Sequence, residues 1–278
     1  MAKKYSAVYQ PLIERLQAET AKKHKKGPDT IKAVKTKLHQ LYGAYTQDNA
    51  HKKASAIVSA LEKSYMHAEY INDDVKEPAA VTDLARNNEI QNAATALLSL
   101  HASTKERLPQ YAEFYGFILS HVGQMESIID IGCGYNPFSL PLIPEAVNLK
   151  AYYAYDIDMQ VANLLNRFFS CFSLPPLAQC ADLALHIPRE HADVALMCKL
   201  IPVLEAQTPG SGLKLARELN ASHLVITYPL KSLGGREKGM AQHYTAAFEK
   251  AMADGKLGKF ALVGQRRIGD EMLYLLTR

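Results

Sequence analysis

From residue 124 onward the chain alternates short apolar runs with longer helix-compatible segments, and this alternation leaves few folds open. The runs are SIIDIG (127–132), AYYAYDI (151–157), ADVALMCKL (192–200), SHLVITYP (222–229), KFALVG (259–264) and EMLYLLTR (271–278). Apolar strands that lack strict polar alternation are buried on both faces, and the helical spacers between them supply the covering layers. The fold class expected of residues 124–278 is therefore α/β, a doubly wound and mostly parallel sheet.

Residues 1–123 read differently, as an all-helical region. Ile31, Val34, Leu38, Leu41 and Tyr45 recur at steps of three and four, placing one apolar stripe along a helix at 29–45, with Lys32, Lys35 and His39 on another face. Asp29 is the candidate N-cap, and Gly43 lies near the stop. Further helices are expected at about 52–69, 82–101 and 106–121, and no internal repeat interrupts the pattern.

Charge separates the two halves as well. The formal net charge is +4, but residues 1–53 hold twelve Lys/Arg against four Asp/Glu, a net +8, which leaves −4 for residues 54–278. A basic block of this kind is an electrostatic footprint for a polyanion such as RNA, or else a solvated face; charge alone leaves both open. No stretch of about 18 apolar residues is present and the first residues lack a secretory apolar core, so a cytoplasmic protein that does not enter membranes is expected. Cys133, Cys171, Cys180 and Cys198 have no metal-ligand spacing and read as buried free thiols, with no metal site expected.

The run Ser127 to Gly134 is a strand entering a glycine turn, followed by Asn136-Pro137. Gly132 and Gly134 allow a ligand to approach the backbone closely, although a bare tight turn would need them too. Asp156 ends the next strand 24 residues beyond Gly132, close to the roughly 20-residue spacing of an acid that binds ribose hydroxyls. Pro137 occupies the third position of a dinucleotide glycine motif, which disfavours a pyrophosphate. An acid on the first strand, Asp130, and another ending the second suit S-adenosylmethionine, which has a ribose and no phosphate. Asp182, beyond the third probable strand, is placed to accept from an adenine amino group or to serve as an ordinary cap. Cys133 has no local His to activate it and reads as packing.

Four blocks together carry a family resemblance: Lys37-Leu38-His39 through Tyr42-Gly43-Ala44-Tyr45, His101 through Leu108 (HASTKERL), Asp130 through Pro137, and Lys231 through Met240 (KSLGGREKGM). The chain resembles the aminoglycoside-resistance 16S rRNA (guanine-1405-N7) methyltransferases. The resemblance implies a Rossmann-like class I methyltransferase domain at 124–278, preceded by a helical domain at 1–123 that docks on 16S rRNA within the 30S ribosomal subunit, and a chain acting as a monomer. It implies that Arg107 pairs with the methionine carboxylate, that Asp156 holds the ribose, and that Asp182 reads the adenine, with Asp130, Gly132, Gly134, Ile157 and Leu183 completing the cofactor-binding set. RNA contacts are implied at Lys32, Lys35, Lys199, Lys231, Arg236 and Lys238, with Tyr228 stacking on an extruded base. By pattern alone Arg107 could equally be a surface residue of a capped helix start, and Lys199 a cation at a strand end.

Departures from the family's pattern are Gly132 in place of Ala, Tyr135 in place of Leu, Tyr228 in place of Phe, Leu230 in place of Thr, and Ile13-Glu14-Arg15 where some relatives carry a more basic pair. Guanine N7 has an in-plane lone pair and no proton to lose, so no catalytic acid or base is expected. The rival readings are an adenine-N1 methyltransferase acting near the same decoding site, and a catalytically silent ribosome-binding or assembly factor on the same scaffold.

Overall fold

The computed structural model describes residues 5–23, 28–43, 45, 49–71, 87–144, 147–172, 174–231 and 239–278. Seven strands form one sheet in the order β3-β2-β1-β4-β5-β7-β6. They are β1 (Ser127–Ile131), β2 (Ala151–Asp156), β3 (Ala178–Cys180), β4 (Ala192–Cys198), β5 (Ala221–Pro229), β6 (Ala261–Ile268) and β7 (Glu271–Thr277). Strands β1 to β5 pair in parallel, whereas β7 inserts antiparallel between β5 and β6. All six apolar runs are strands; β3, three residues long, is too short to make a run of its own. The strand order reverses between β1 and β4, which opens a crevice at their carboxyl ends where α/β sheets bind ligands.

Helices α1 (Gln10–Lys23), α2 (Pro28–Leu38), α3 (Ala50–Ile71), α4 (Asn88–Leu98), α5 (Ala102–Arg107) and α6 (Tyr111–Val122) precede the sheet. Asn87 caps α4 by accepting from the backbone N–H groups of Glu89 and Ile90. The helix expected at 106–121 is two: Pro109 lies in a 3-10 turn, Leu108–Gln110, between α5 and α6. Helix α7 (Met159–Ser170), capped by Asp158, follows β2, and α8 (Leu200–Gln207), α9 (Ser211–Glu218) and α10 (Met240–Ala253) complete the layers.

The change of period near Gln124 does not coincide with a gap in the core. Leu97, Tyr111, Phe114 and Ile118 of α4 and α6 join Ile128, Phe138, Phe168 and Val194 in one buried cluster. A second cluster lies between the other face of the sheet and α8 to α10. The third is small and N-terminal: Tyr5, Val8, Leu12, Ile13, Leu16, Val34, Leu38 and Tyr42, with Ile157 packed against it.

The stripe expected on the 29–45 helix is partly displaced. Val34 and Leu38 are buried, but Ile31 is 58% exposed and Leu41 half-buried, because α2 passes into a π-turn at His39–Gly43 that carries Tyr42 inward. The Asp29 side chain lies outside the described residues.

Candidate cofactor site and adjoining cavity

Two neighbouring cavities open at the carboxyl ends of the parallel strands. The inner one is bounded by the turn after β1 (Gly132, Gly134), the end of β2 (Asp156, Ile157, Asp158), the loop after β3 (Asp182, Leu183), the end of β4 (Cys198, Lys199, Leu200), and Leu12, Tyr45 and His101 from the helical region. Six of the eight residues expected to bind cofactor therefore meet there, the exceptions being Asp130 and Arg107.

The glycine turn has specific causes. Gly132 and Gly134 have φ of 67° and 49°, in the left-handed region, and a Cβ on Gly132 would stand 2.7 Å from Leu200 Cδ1. The Gly134 N–H donates to Asp156 Oδ2 at 2.8 Å, and the Asp158 N–H donates to Asp156 Oδ1 at 3.0 Å. Burial, reinforced by the nearby Asp158, pushes the Asp156 carboxyl up to about 6 despite these bonds. Asp156 is thus a half-buried carboxylate on the cavity wall, tied to the glycine turn.

Asp130 lies beneath the turn rather than among the residues that line the cavity. Its Oδ2 accepts from Asn136 Nδ2 at 2.7 Å and from the Tyr152 hydroxyl at 2.8 Å, so it anchors the turn from below. Its carboxyl is raised to about 6, mainly by burial. Cys133 is buried and its thiol pushed upward by burial, consistent with a packing role.

Arg107, likewise, is held within the fold. It is 3% exposed; Nη2 donates to Glu271 Oε2 at 2.7 Å and Nη1 to Asn136 Oδ1 at 3.0 Å. A buried guanidinium requires a buried anion, and β7 supplies Glu271. Two of its five N–H donors are thus engaged within the fold. Nε remains buried and without a partner among the described residues. Glu271 is held below the usual range because Arg107 and Lys199 outweigh its burial.

Lys199 continues this ion-pair chain outward, with Nζ 3.3 Å from Glu271 Oε1 and 2.7 Å from Glu106 Oε2. Its backbone is left-handed, φ 57°, and its N–H donates to the carbonyl and hydroxyl oxygens of Thr227. Such a conformation is costly for a non-glycine residue and persists where the surroundings hold it. Lys199 lines both cavities.

The outer cavity is lined by Lys37, Gln40, Tyr45, Ser103, Glu106, Lys199, Pro229, Lys231, Met240 and Tyr244, among others. Lys231 stands at its edge, 2.8 Å from Asp270. Tyr228, expected to stack on an extruded base, is 3% exposed, stacked on Tyr244 at 5.2 Å and edge-on to Phe248 and Tyr274. Tyr244, with Tyr45, lines the outer cavity in its place. Arg236 and Lys238 lie outside the described residues, while Lys32 and Lys35 are exposed on α2 beside Ile31, Thr36 and His39.

Sequence reasoning missed several residues. His101 is stacked between Tyr45 (5.9 Å) and Tyr135 (5.5 Å), its ring kept neutral by burial, which lowers it to about 4; its Nδ1 has no partner among the described residues. His51 stands 2.9 Å from Asp158 and bonds the Tyr42 and Tyr135 hydroxyls. Tyr45 and His101 were inside matched blocks, but nothing in their spacing showed that they meet. Arg15 was visible only as a departure from a pattern. It donates from Nε to Asp182 Oδ2 at 2.5 Å and from Nη2 to Asp182 Oδ1 at 3.1 Å.

The site suits S-adenosylmethionine in its donor set: an acid ending β2, a second acid beyond β3, a glycine turn with no room for a Cβ at Gly132, and buried nitrogens on His101 and Arg107 without a partner among the described residues. Comparison with known proteins points the same way. Residues 1–275 match the family model described as ribosomal RNA methyltransferase (FmrO). The 16S rRNA (guanine(1405)-N(7))-methyltransferase of Proteus mirabilis is 32% identical, over 99% of this chain and 93% of its own length. Its namesake in Serratia marcescens is 31% identical, over 100% and 94%. The crystal structure of the 16S rRNA methyltransferase RmtF in complex with S-adenosyl-L-homocysteine superposes with a TM-score of 0.78 at 32% identity, covering 100% of this chain and 94% of that one.

Proposed function

Because the chain belongs to the FmrO family of ribosomal RNA methyltransferases, we propose that it transfers the methyl group of S-adenosylmethionine to N7 of guanine 1405 of 16S rRNA, acting on the assembled small ribosomal subunit and so conferring aminoglycoside resistance. The observation that carries this reading is the pair of joined cavities: one with a ribose acid and a glycine cradle, the other lined by aromatic rings and cations, with Lys199 between them.

In the outer cavity Tyr45 and Tyr244 are the surfaces on which a flipped base stacks, and Lys199 and Glu106 are the polar groups offered to its edge. Lys231, with Arg236 and Lys238, holds the neighbouring phosphates. When bound, the cofactor supplies an electrophilic sulfonium methyl. Guanine N7 attacks with a lone pair and sheds no proton, so no side chain needs to act as acid or base. The protein contributes alignment: Asp156 orients the ribose, Asp182 the adenine, and Lys199, with Arg107 behind it, supplies positive charge for the methionine carboxylate. The Lys face of α2 steers and docks the subunit.

Mapping the modified nucleotide by reverse transcription and mass spectrometry, after incubating purified small subunits with protein and cofactor, tests the reading. The expected product is a single 7-methylguanine at the target, accompanied in cells by resistance to gentamicin and kanamycin with little change for neomycin. Methylation of adenine N1, or no methylation, would overturn it.

A further inference from the structure

We propose that Arg15, contributed by the first helix of the docking region, is a positioning residue of the cofactor site that holds Asp182 in the orientation that selects adenine. The proposal rests on the assignment of Asp182 to the adenine. Arg15 and Asp182 are 167 residues apart in sequence, and their side chains are only 10% and 9% exposed. The contact is side-on, Nε to Oδ2 and Nη2 to Oδ1, the geometry in which a guanidinium fixes the plane of a carboxylate.

The rest of the fork is also engaged. Nη2 donates to Gln207 Oε1 at 3.2 Å, and Nη1 to Glu19 Oε1 at 2.7 Å. Four of the five guanidinium N–H groups thus have acceptors, so the cation is held as well as holding. Burial alone would make Arg15 easier to deprotonate, but Asp182 and Glu19 more than compensate and keep it charged.

Asp182 retains capacity for a ligand. Oδ1 accepts from Arg15 and from the Ala184 N–H at 3.3 Å, whereas Oδ2 accepts from Arg15 Nε alone among the described residues. A carboxylate oxygen has two lone pairs, so Oδ2 has one to offer on the cavity side. An ionised acceptor welcomes an exocyclic amine and repels a carbonyl oxygen in the same place.

A second set of contacts ties the same segment to the ribose side. The Tyr9 N–H donates to the Ile157 carbonyl at 2.7 Å and the Met159 N–H to the Ala7 carbonyl at 2.8 Å, on either side of Asp158. Leu12 of α1 lines the inner cavity with Asp156 and Asp182. The basic N-terminal segment is therefore a wall of the cofactor pocket.

The test is calorimetric and requires no RNA. S-Adenosylhomocysteine is compared with S-inosylhomocysteine, in which a carbonyl replaces the adenine amine, on the wild type and on Arg15→Ala, Arg15→Lys and Asp182→Asn. The wild type should prefer the adenosyl ligand by roughly tenfold to a hundredfold, the scale of one hydrogen bond to a charged group. Both Arg15 variants should weaken adenosyl binding and bring the preference to within about threefold, as should Asp182→Asn. Arg15→Lys keeps the cation without the fork, which guards against a folding defect in the Ala variant. A role in packing alone would weaken both ligands equally. An unchanged preference in both Arg15 variants, alongside its loss in Asp182→Asn, would overturn the role of Arg15 and leave that of Asp182 standing. No preference in the wild type would remove the adenine assignment itself. Tighter adenosyl binding by the Arg15 variants would mean that Arg15 competes with the ligand.

Discussion

Helices α1 and α2 are neighbours in sequence, both carry basic residues, and they share one small core, yet Arg15 of one and Lys32 and Lys35 of the other point in opposite directions. Arg15 of α1 turns inward to Asp182, whereas Lys32 and Lys35 of α2 face solvent beside an exposed Ile31. A basic count for residues 1–53 treats these side chains alike. The difference is whether a buried anion lies within reach: α1 runs against the loops that end β2 and β3, where Asp182 would otherwise be a half-satisfied charge, while Lys32 and Lys35 on the outer face of α2 are exposed. Lys37 lies between these cases, 3.7 Å from Glu19, the same acid that binds Arg15. Inward cations should therefore govern stability and cofactor geometry, and outward ones association with RNA.

The strongest way to break that division is to remove an inward cation. Arg107→Ala leaves Glu271 buried beside Lys199 alone, and unfolding by urea should show a loss of about 3–5 kcal/mol. Replacing Glu271 by Leu in the same chain should recover part of it; a surface-like loss below about 1 kcal/mol would erase the distinction. Next in size, Asp156→Ala should weaken S-adenosylhomocysteine binding by about 1.5–3 kcal/mol in calorimetry while the melting curve stays cooperative. Undiminished binding would reassign the ribose acid.

For the outward cations, Lys32→Glu with Lys35→Glu should weaken binding to purified small subunits by roughly tenfold at moderate salt and flatten its salt dependence, since fewer counterions are released. Cofactor affinity should stay at the wild-type value. A loss of cofactor affinity in this variant would join α1 and α2 into one functional surface. The smallest effect expected concerns pH. Asp156 is raised to about 6, so the carboxylate gains a proton as pH falls through that value and loses acceptor capacity for the ribose. Cofactor affinity should decline several-fold from pH 7 to pH 5, and Asp156→Asn should flatten the profile; a slope that survives this substitution would point to another group.

Much of this was legible in the chain itself. Six apolar runs determined six strands, because a strand buried on both faces has no room for alternation, and the spacing of Gly132, Gly134 and Asp156 placed all three on one cavity wall, because a glycine turn and the following strand end are local features. The family blocks named Arg107 and Lys231, and the strand end named Lys199, but none could say what each would touch. Tertiary structure alone decided that Arg107 answers Glu271, that Asp130 braces the turn from below, that Tyr228 is packed while Tyr244 faces the cavity, and that Arg15 holds Asp182. Each of these pairs joins residues distant in sequence or depends on which side of an element faces the core. Hydrophobic period reports burial and turn chemistry reports dihedrals, but the partner of a buried charge is set by whichever opposite charge the completed sheet brings within hydrogen-bond distance.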